Sequence, residues 1–96
     1  MLFALICTDK PESLELRLSV RPDHLKYLES LGGALKGAGP FTTDEGQPTG
    51  SLVIIEAADR AAAKAVAEAD PYARAGLFAS VEIRPWKWLI RNPEAK

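Results

Sequence analysis

A chain of 96 residues with 47% apolar side chains and a net charge of −1 has the composition of one small globular domain. Both charge signs are scattered along it, which excludes the strongly basic face that a nucleic-acid-binding or anionic-membrane-binding module needs. Its single cysteine, Cys7, excludes an internal disulfide framework and fits a reducing compartment.

No apolar run approaches the ~20 residues of a membrane-spanning helix. Met1-Leu2-Phe3 lacks the basic start and small-residue cleavage site of a signal peptide. The expectation is a soluble, cytoplasmic protein with one domain over residues 1–96, its last few residues (91–96) frayed. So short a chain buries only about 60–65% of its unfolded surface, and pairing with a second copy is an ordinary way to enlarge the core.

The first element is an apolar run from Leu2 to Thr8 that does not alternate. A strand apolar on both faces requires cover on both. Cys7 lies in it as a small buried hydrophobe. Asp9 to Ser13 is a polar turn, and Leu14 to Val20 leads into a helix expected from about Pro22 to Leu31. Proline suits the first helical position, where its missing N–H is an unpaired donor position anyway. Tyr27, Leu28 and Leu31 then follow His24 at helical neighbour spacing. Gly32-Gly33 stops the helix.

A second strand, poor in side-chain bulk, is expected over residues 34–40, ending at Gly39-Pro40. No phosphate-loop spacing accompanies its glycines. Residues 42–50 read as a loop, and Ser51 to Ala57 as a third strand, again apolar on both faces. Asp59 is the expected N-cap of a second helix with a buried stripe of Ala62, Ala65, Val66 and Ala69, ending at Asp70-Pro71. Tyr72 to Phe78 connects to a fourth strand, Ala79 to Arg84, with Val81 and Ile83 inward. Trp86, Trp88 and Ile90 alternate with polar and apolar neighbours in a short extra strand or arm. The order β-α-β-β-α-β is the ferredoxin-like, split βαβ arrangement, an α+β fold with an antiparallel four-stranded sheet. Both helices pack on one face of it, so the apolar residues on the other face call for a two-fold dimer with sheets face to face.

The chemical candidates gather around Arg17-Leu18-Ser19-Val20-Arg21-Pro22-Asp23-His24, which holds the only histidine. At a helix start the macrodipole favours the neutral imidazole that a base needs. Asp70 is expected at a helix end, where capping preferences would put a cation or glycine. Spacing leaves open whether the two meet. It also leaves open a capping or surface role for His24 and a turn role for Asp70. Arg17 and Arg21 have the forked donors that hold an anionic group, or else they flank a turn in solvent. Ser19 is a minor nucleophile candidate, lacking a glycine-flanked elbow. Tyr72 is a core or pocket residue. One His, one Cys and no clustered carboxylates make no recognisable metal site, and no cofactor motif occurs.

The segments Arg17-Leu18-Ser19-Val20-Arg21-Pro22-Asp23-His24-Leu25, Ala38-Gly39-Pro40, Ala69-Asp70-Pro71-Tyr72 and Ala75-Gly76-Leu77-Phe78 closely resemble the YciI-like family of the dimeric α+β barrel superfamily. The resemblance spans nearly the whole chain. It implies a ferredoxin-like fold, a homodimer and a pocket with a His and an Asp, carried onto His24 and Asp70. Some relatives act on small aromatic compounds in dehalogenation or isomerisation steps. Gly32-Gly33-Ala34 departs from the bulkier polar residues expected there, which bears on pocket shape.

Two functions follow as expectations. The first is an enzyme with His24 as general base, Asp70 orienting it, Arg17 or Arg21 holding a small substrate, and no cofactor. The second is a non-catalytic small-ligand-binding accessory protein using the same pocket. An RNA-binding role, open to the same strand order, lacks the base-stacking aromatics and the charge.

Overall fold

The apolar run at the N-terminus becomes β1 (Leu2–Asp9), an interior strand of a four-stranded antiparallel sheet. A helix, α1 (Leu14–Ser30), leads through a 3-10 turn at Gly32–Ala34 to β2 (Leu35–Thr42) and then β3 (Pro48–Glu56). Next come α2 (Arg60–Ala69), the short α3 (Pro71–Arg74) and β4 (Phe78–Trp86). The strand order is β2-β3-β1-β4, as the ferredoxin-like reading requires. This computed structural model describes residues 1–94; the expected fraying at 95 and 96 lies outside the described residues. Among the described residues no helix is long and apolar enough to cross a membrane.

The two faces of the sheet differ. Phe3, Leu5 and Cys7 of β1 pair across with Ile55, Val53 and Ser51 of β3 and point toward the helices. With Leu28 of α1 and Ala63 and Ala67 of α2 they make the core. Leu2, Ala4 and Ile6, beside Leu52 and Ile54, alternate onto the opposite face. Gly50 is obligatory at its place, because a Cβ there would overlap the Cys7 carbonyl oxygen on the neighbouring strand.

The first helix begins eight residues earlier than Pro22 and carries that proline inside it. An interior proline costs a helix ~3 kcal/mol through a lost N–H and a clash with the carbonyl four residues back. Here both Pro22 and Leu18 are exposed residues, a position where solvent is available to the Leu18 carbonyl that Pro22 cannot serve. The buried residues of α1 are Arg17, His24 and Leu28, two of them polar, while Leu16, Leu18 and Leu25 are exposed. Apolar spacing therefore marks only the C-terminal half of the helix, through Tyr27, Leu28 and Leu31, and not its first turns from Leu14 to Arg21. His24 lies well inside α1, so the helix-start dipole argument for a neutral ring does not apply.

The second strand runs through Gly39-Pro40 to Thr42 instead of ending there. It is an edge strand, and a proline whose missing N–H faces outward costs no ladder bond. The expected loop correspondingly shrinks to residues 43–47, because β3 starts at Pro48. Asp59 does cap α2, accepting from Ala62 N–H at 2.8 Å. The buried stripe, however, is Ala63 and Ala67 with Val66 packed beside them; Ala65 and Ala69 are exposed. Residues 71–74 form α3 where a plain connection was expected. On β4, Ile83 packs against the core and Val81, on the same face, stays 39% exposed. Among the described residues no strand follows Trp86: Trp88 Nε1 donates to the Ile90 carbonyl, and Lys36 pairs with Glu94.

Candidate active site

Helix α1 presents Arg17, Arg21, His24 and Leu28 along one side, at spacings of four, three and four residues. Facing them is the junction of α2 and α3. Pro71 keeps Asp70 out of the helical region (φ −61°, ψ 129°), which ends α2 and makes Asp70 the N-cap of α3. Its Oδ1 accepts from Tyr72 N–H at 2.9 Å. Asp70 is thus both the end of one helix and the start of another. The cap of α3 supplies a reason for a carboxylate there that a helix end alone did not.

His24 Nδ1 lies 2.9 Å from Asp70 Oδ1 and 2.9 Å from Oδ2. A carboxylate only accepts, so Nδ1 carries a proton and the lone pair of the neutral ring is on Nε2. Nε2 has no protein partner among the described residues. Tyr72 stacks on the imidazole, ring centroids 4.0 Å apart and 19° from parallel, which fixes the ring plane. Phe78 meets Tyr72 edge-on at 6.0 Å.

Arg17 is held from three sides. Its Nε donates to Asp9 Oδ2 at 2.6 Å, and Nη2 donates to Asp9 Oδ1 at 3.0 Å and to Ser51 Oγ at 2.8 Å. Asp9 sits where the pairing of β1 with β4 shifts register after Thr8, an irregularity that re-aims its side chain. The Arg17 Cζ lies 4.6 Å from the Tyr72 ring centroid. Burial works against the guanidinium charge, but the paired Asp9 carboxylate outweighs it and raises the Arg17 pKa. Burial also raises the Tyr72 phenol, an effect that Arg17 and Arg21 partly offset. The Cys7 thiol, behind this cluster, is pushed up to about 12, chiefly by burial.

These groups surround a cavity of about 220 Å³ between α1 and the β2–β3 side of the sheet. Arg17, Arg21, His24, Ser51 and Tyr72 are its polar walls; Leu18, Leu25, Leu28, Val53, Ala38 and Pro40 are apolar ones. Of the expected site residues, His24, Asp70, Arg17 and Tyr72 come together and are more than nine-tenths buried. Arg21 lines the cavity from an exposed position. Ser19 does not belong to it: the residue is exposed and its hydroxyl donates to the Leu16 carbonyl at 2.8 Å. The cavity's serine is Ser51. Asp9 and Ser51 went unnoticed in the sequence because Asp9 reads as the first residue of a polar turn and Ser51 as the first of a strand. The one available signal was a carboxylate directly closing an apolar strand. Among the described residues no group of three or more His, Cys, Asp or Glu side chains is arranged to hold a metal.

The YCII-related domain matches residues 1–87. The chain is 45% identical over 95 residues to Protein YciI of Escherichia coli O6:H1, an alignment covering 91% of this chain and 97% of that one. It is 37% identical to the solved 5-chloro-2-hydroxyhydroquinone dehydrochlorinase of Burkholderia phenoliruptrix, in complex with 2,5-dihydroxybenzoquinone. That match has a TM-score of 0.82 and covers 91% of this chain and 94% of that one. A NIPSNAP family protein of Agrobacterium tumefaciens shares the fold at 20% identity, TM-score 0.60, with 98% and 97% of the two chains covered. Profile match and sequence identity over nearly the full length agree with the β-α-β-β-α-β architecture: this chain belongs to the YCII-related domain family.

Proposed function

We propose that this protein is a small-molecule enzyme in which His24 and Asp70 act as a general acid/base pair on a small hydroxylated or anionic ring compound. The observation that carries the reading is the contact of His24 Nδ1 with both Asp70 oxygens, at 2.9 Å, beside the cavity that His24 lines. Asp70 holds the tautomer and ring orientation and stabilises the imidazolium when it forms. Nε2 then takes a proton from a ring hydroxyl or an adjacent carbon. The imidazolium returns that proton to the ring carbon that bears the leaving group, which gives the tetrahedral keto tautomer. Loss of a second hydroxyl proton to Nε2 then forms a carbonyl, moves the ring π pair into a new double bond and expels the leaving group with its bonding pair. Without a leaving group the step ends as an isomerisation. Such acid–base help contributes ~10²–10⁴-fold in rate.

Size and likeness support the substrate class. A dry cavity of ~150 Å³ already holds benzene, so about 220 Å³ accommodates one substituted ring. The 37%-identical dehydrochlorinase, with its bound dihydroxybenzoquinone, supports an elimination on such a ring. The reading includes a cytoplasmic homodimer, in which a second sheet covers Leu2, Ile6, Leu52 and Ile54, half-buried in the single chain. A solution mass equal to one chain removes the dimer.

The test compares wild type with His24→Gln for chloride release from a chlorinated hydroxyhydroquinone. Loss of turnover at an unchanged melting temperature is the expected result. Unchanged turnover removes the acid/base role, and a ligand bound but never altered by the wild type favours a non-catalytic binding protein.

A further inference from the structure

The residues after β4 fold against their own sheet and still leave two large aliphatic side chains in water. Trp86 pairs across with Leu2, so its ring lies on the sheet face away from the helices. Trp88 packs against it, ring centroids 5.6 Å apart, and donates from Nε1 to the Ile90 carbonyl. Asn92 Nδ2 donates to the Trp88 carbonyl at 3.3 Å, and Lys36 of β2 binds Glu94 at 2.7 Å. β4 and β2 are the two edge strands, so this arm spans the end of the sheet from one edge to the other. Leu89 and Ile90 nevertheless stay 80% and 79% exposed. Ordering a segment costs conformational entropy, and at these two positions no apolar burial within the chain offsets it.

The same sheet face carries an apolar groove of about 330 Å³ over β2, lined by Gly37, Gly39, Phe41, Leu52 and Ile54. Gly37 and Gly39 stand opposite Ile54 and Leu52, at the positions that face away from the helices. A Cβ on either would meet nothing within 4 Å. A groove of this size takes two aliphatic side chains, since ~150 Å³ already holds benzene. Ala38, Gly39 and Pro40 also line the cavity beside His24, so this stretch of β2 is the wall between cavity and groove.

We propose that the arm of each chain docks on a second copy, with Leu89 and Ile90 of one copy seated in the β2 groove of the other. The inference rests on the homodimer reading and names the segment that joins the two chains. Surface area supports it. The chain exposes 6348 Å², whereas a folded monomer of 10.4 kDa exposes about 5,400 Å². The excess, roughly 900 Å², matches the ~800 Å² that each partner gives up in a stable complex. An arm and a groove on one surface make a two-fold contact, because arm meets groove once in each direction. The docked arm then backs the cavity wall from behind β2.

The test is sedimentation of the whole protein over a dilution series, followed by cross-linking. The wild type is expected to sediment as two chains. Leu89→Asp combined with Ile90→Asp should raise the dissociation constant of the dimer by about 100-fold or more, as loss of central interface anchors does. Gly37→Leu, which fills the groove from its own side, should raise it as well. Both arm positions are exposed in the single chain, so an unchanged circular dichroism spectrum is expected. Mixed under oxidation, Gly37→Cys and Ile90→Cys proteins should form a disulfide between unlike chains; Cys7 is buried and takes no part. A two-chain mass unmoved by the paired aspartates, or disulfides formed only between like chains, overturns the arm contact and leaves the sheet-to-sheet dimer standing. A wild-type mass of one chain at every concentration overturns both.

Discussion

The His24 imidazole and the Asp70 carboxylate meet at 2.9 Å although 46 residues separate them in the chain. One comes from the interior of α1 and the other from the hinge between α2 and α3. Asp70 Oδ1 also receives the Tyr72 N–H, and Tyr72 in turn stacks on His24, so carboxylate, backbone and two rings hold one another in place. Asp70→Asn retains an oxygen for the Tyr72 cap but presents an amide to Nδ1. The other tautomer is then favoured, with the proton on Nε2. Turnover should fall by ~10²–10⁴-fold with little change in stability. Asp70→Ala should lose the same activity and, additionally, ~1 kcal/mol of cap. Steady-state rates and urea midpoints of the two variants separate the effects, and an Asp70→Asn protein as active as wild type contradicts them.

The Arg17–Asp9 pair is buried, with side-chain exposures of 5% and 6%. Removing one partner strands the other, at a cost of ~3–5 kcal/mol. Arg17→Ala should therefore melt well below wild type. Arg17→Met combined with Asp9→Leu should recover most of the loss, because neither charge is then left alone in the interior. If the double variant is no more stable than the single one, burial of an unpaired charge is not the cause.

Alkaline pH should weaken the fold. The unfolded chain gives up the Cys7 proton near 9.0, whereas the folded protein keeps it to about 12. Within that window the native state binds more protons, so stability falls as pH rises and levels off only above it. Burial raises the phenols of Tyr72 and Tyr27 as well, and they act in the same direction from pH ~10 upward. Urea midpoints at pH ~8, ~9.5 and ~11 measure the slope. It should be shallower in Tyr72→Phe; a flat profile in wild type would refute the assignment.

Pro22→Ala restores a backbone donor to the Leu18 carbonyl inside α1 and removes the ring clash. The change should stabilise the protein by ~1–3 kcal/mol, less than the full proline penalty because the unfolded chain also gains freedom. A lower melting temperature for Pro22→Ala would mean that the helix depends on the proline.

The strand and helix order was legible in the sequence because strands and alanine-rich helices announce themselves locally. The apolar runs at Leu2–Thr8 and Ser51–Ala57, the cap at Asp59 and the break at Asp70-Pro71 all reflect chemistry within a few residues. The composition of β1 and β3, apolar on both faces, likewise followed from the residues alone. Where the sequence misled, the deciding contact was remote. The proline inside α1 sits on an exposed side of the helix with Leu18, and the polar stripe of Arg17 and His24 is a buried face because Asp9 and Asp70 answer it. Periodicity detects apolar burial and is blind to burial through paired charge. Ser19 and Ser51 are equivalent as residue types; the pitch of α1 sends one hydroxyl outward, and the register of β3 against β1 sends the other into the cavity. Composition and local pattern set the architecture, and the convergence of four chain segments on one cavity was decided by tertiary packing, because hydrogen-bond geometry between distant residues leaves no periodic trace in the chain.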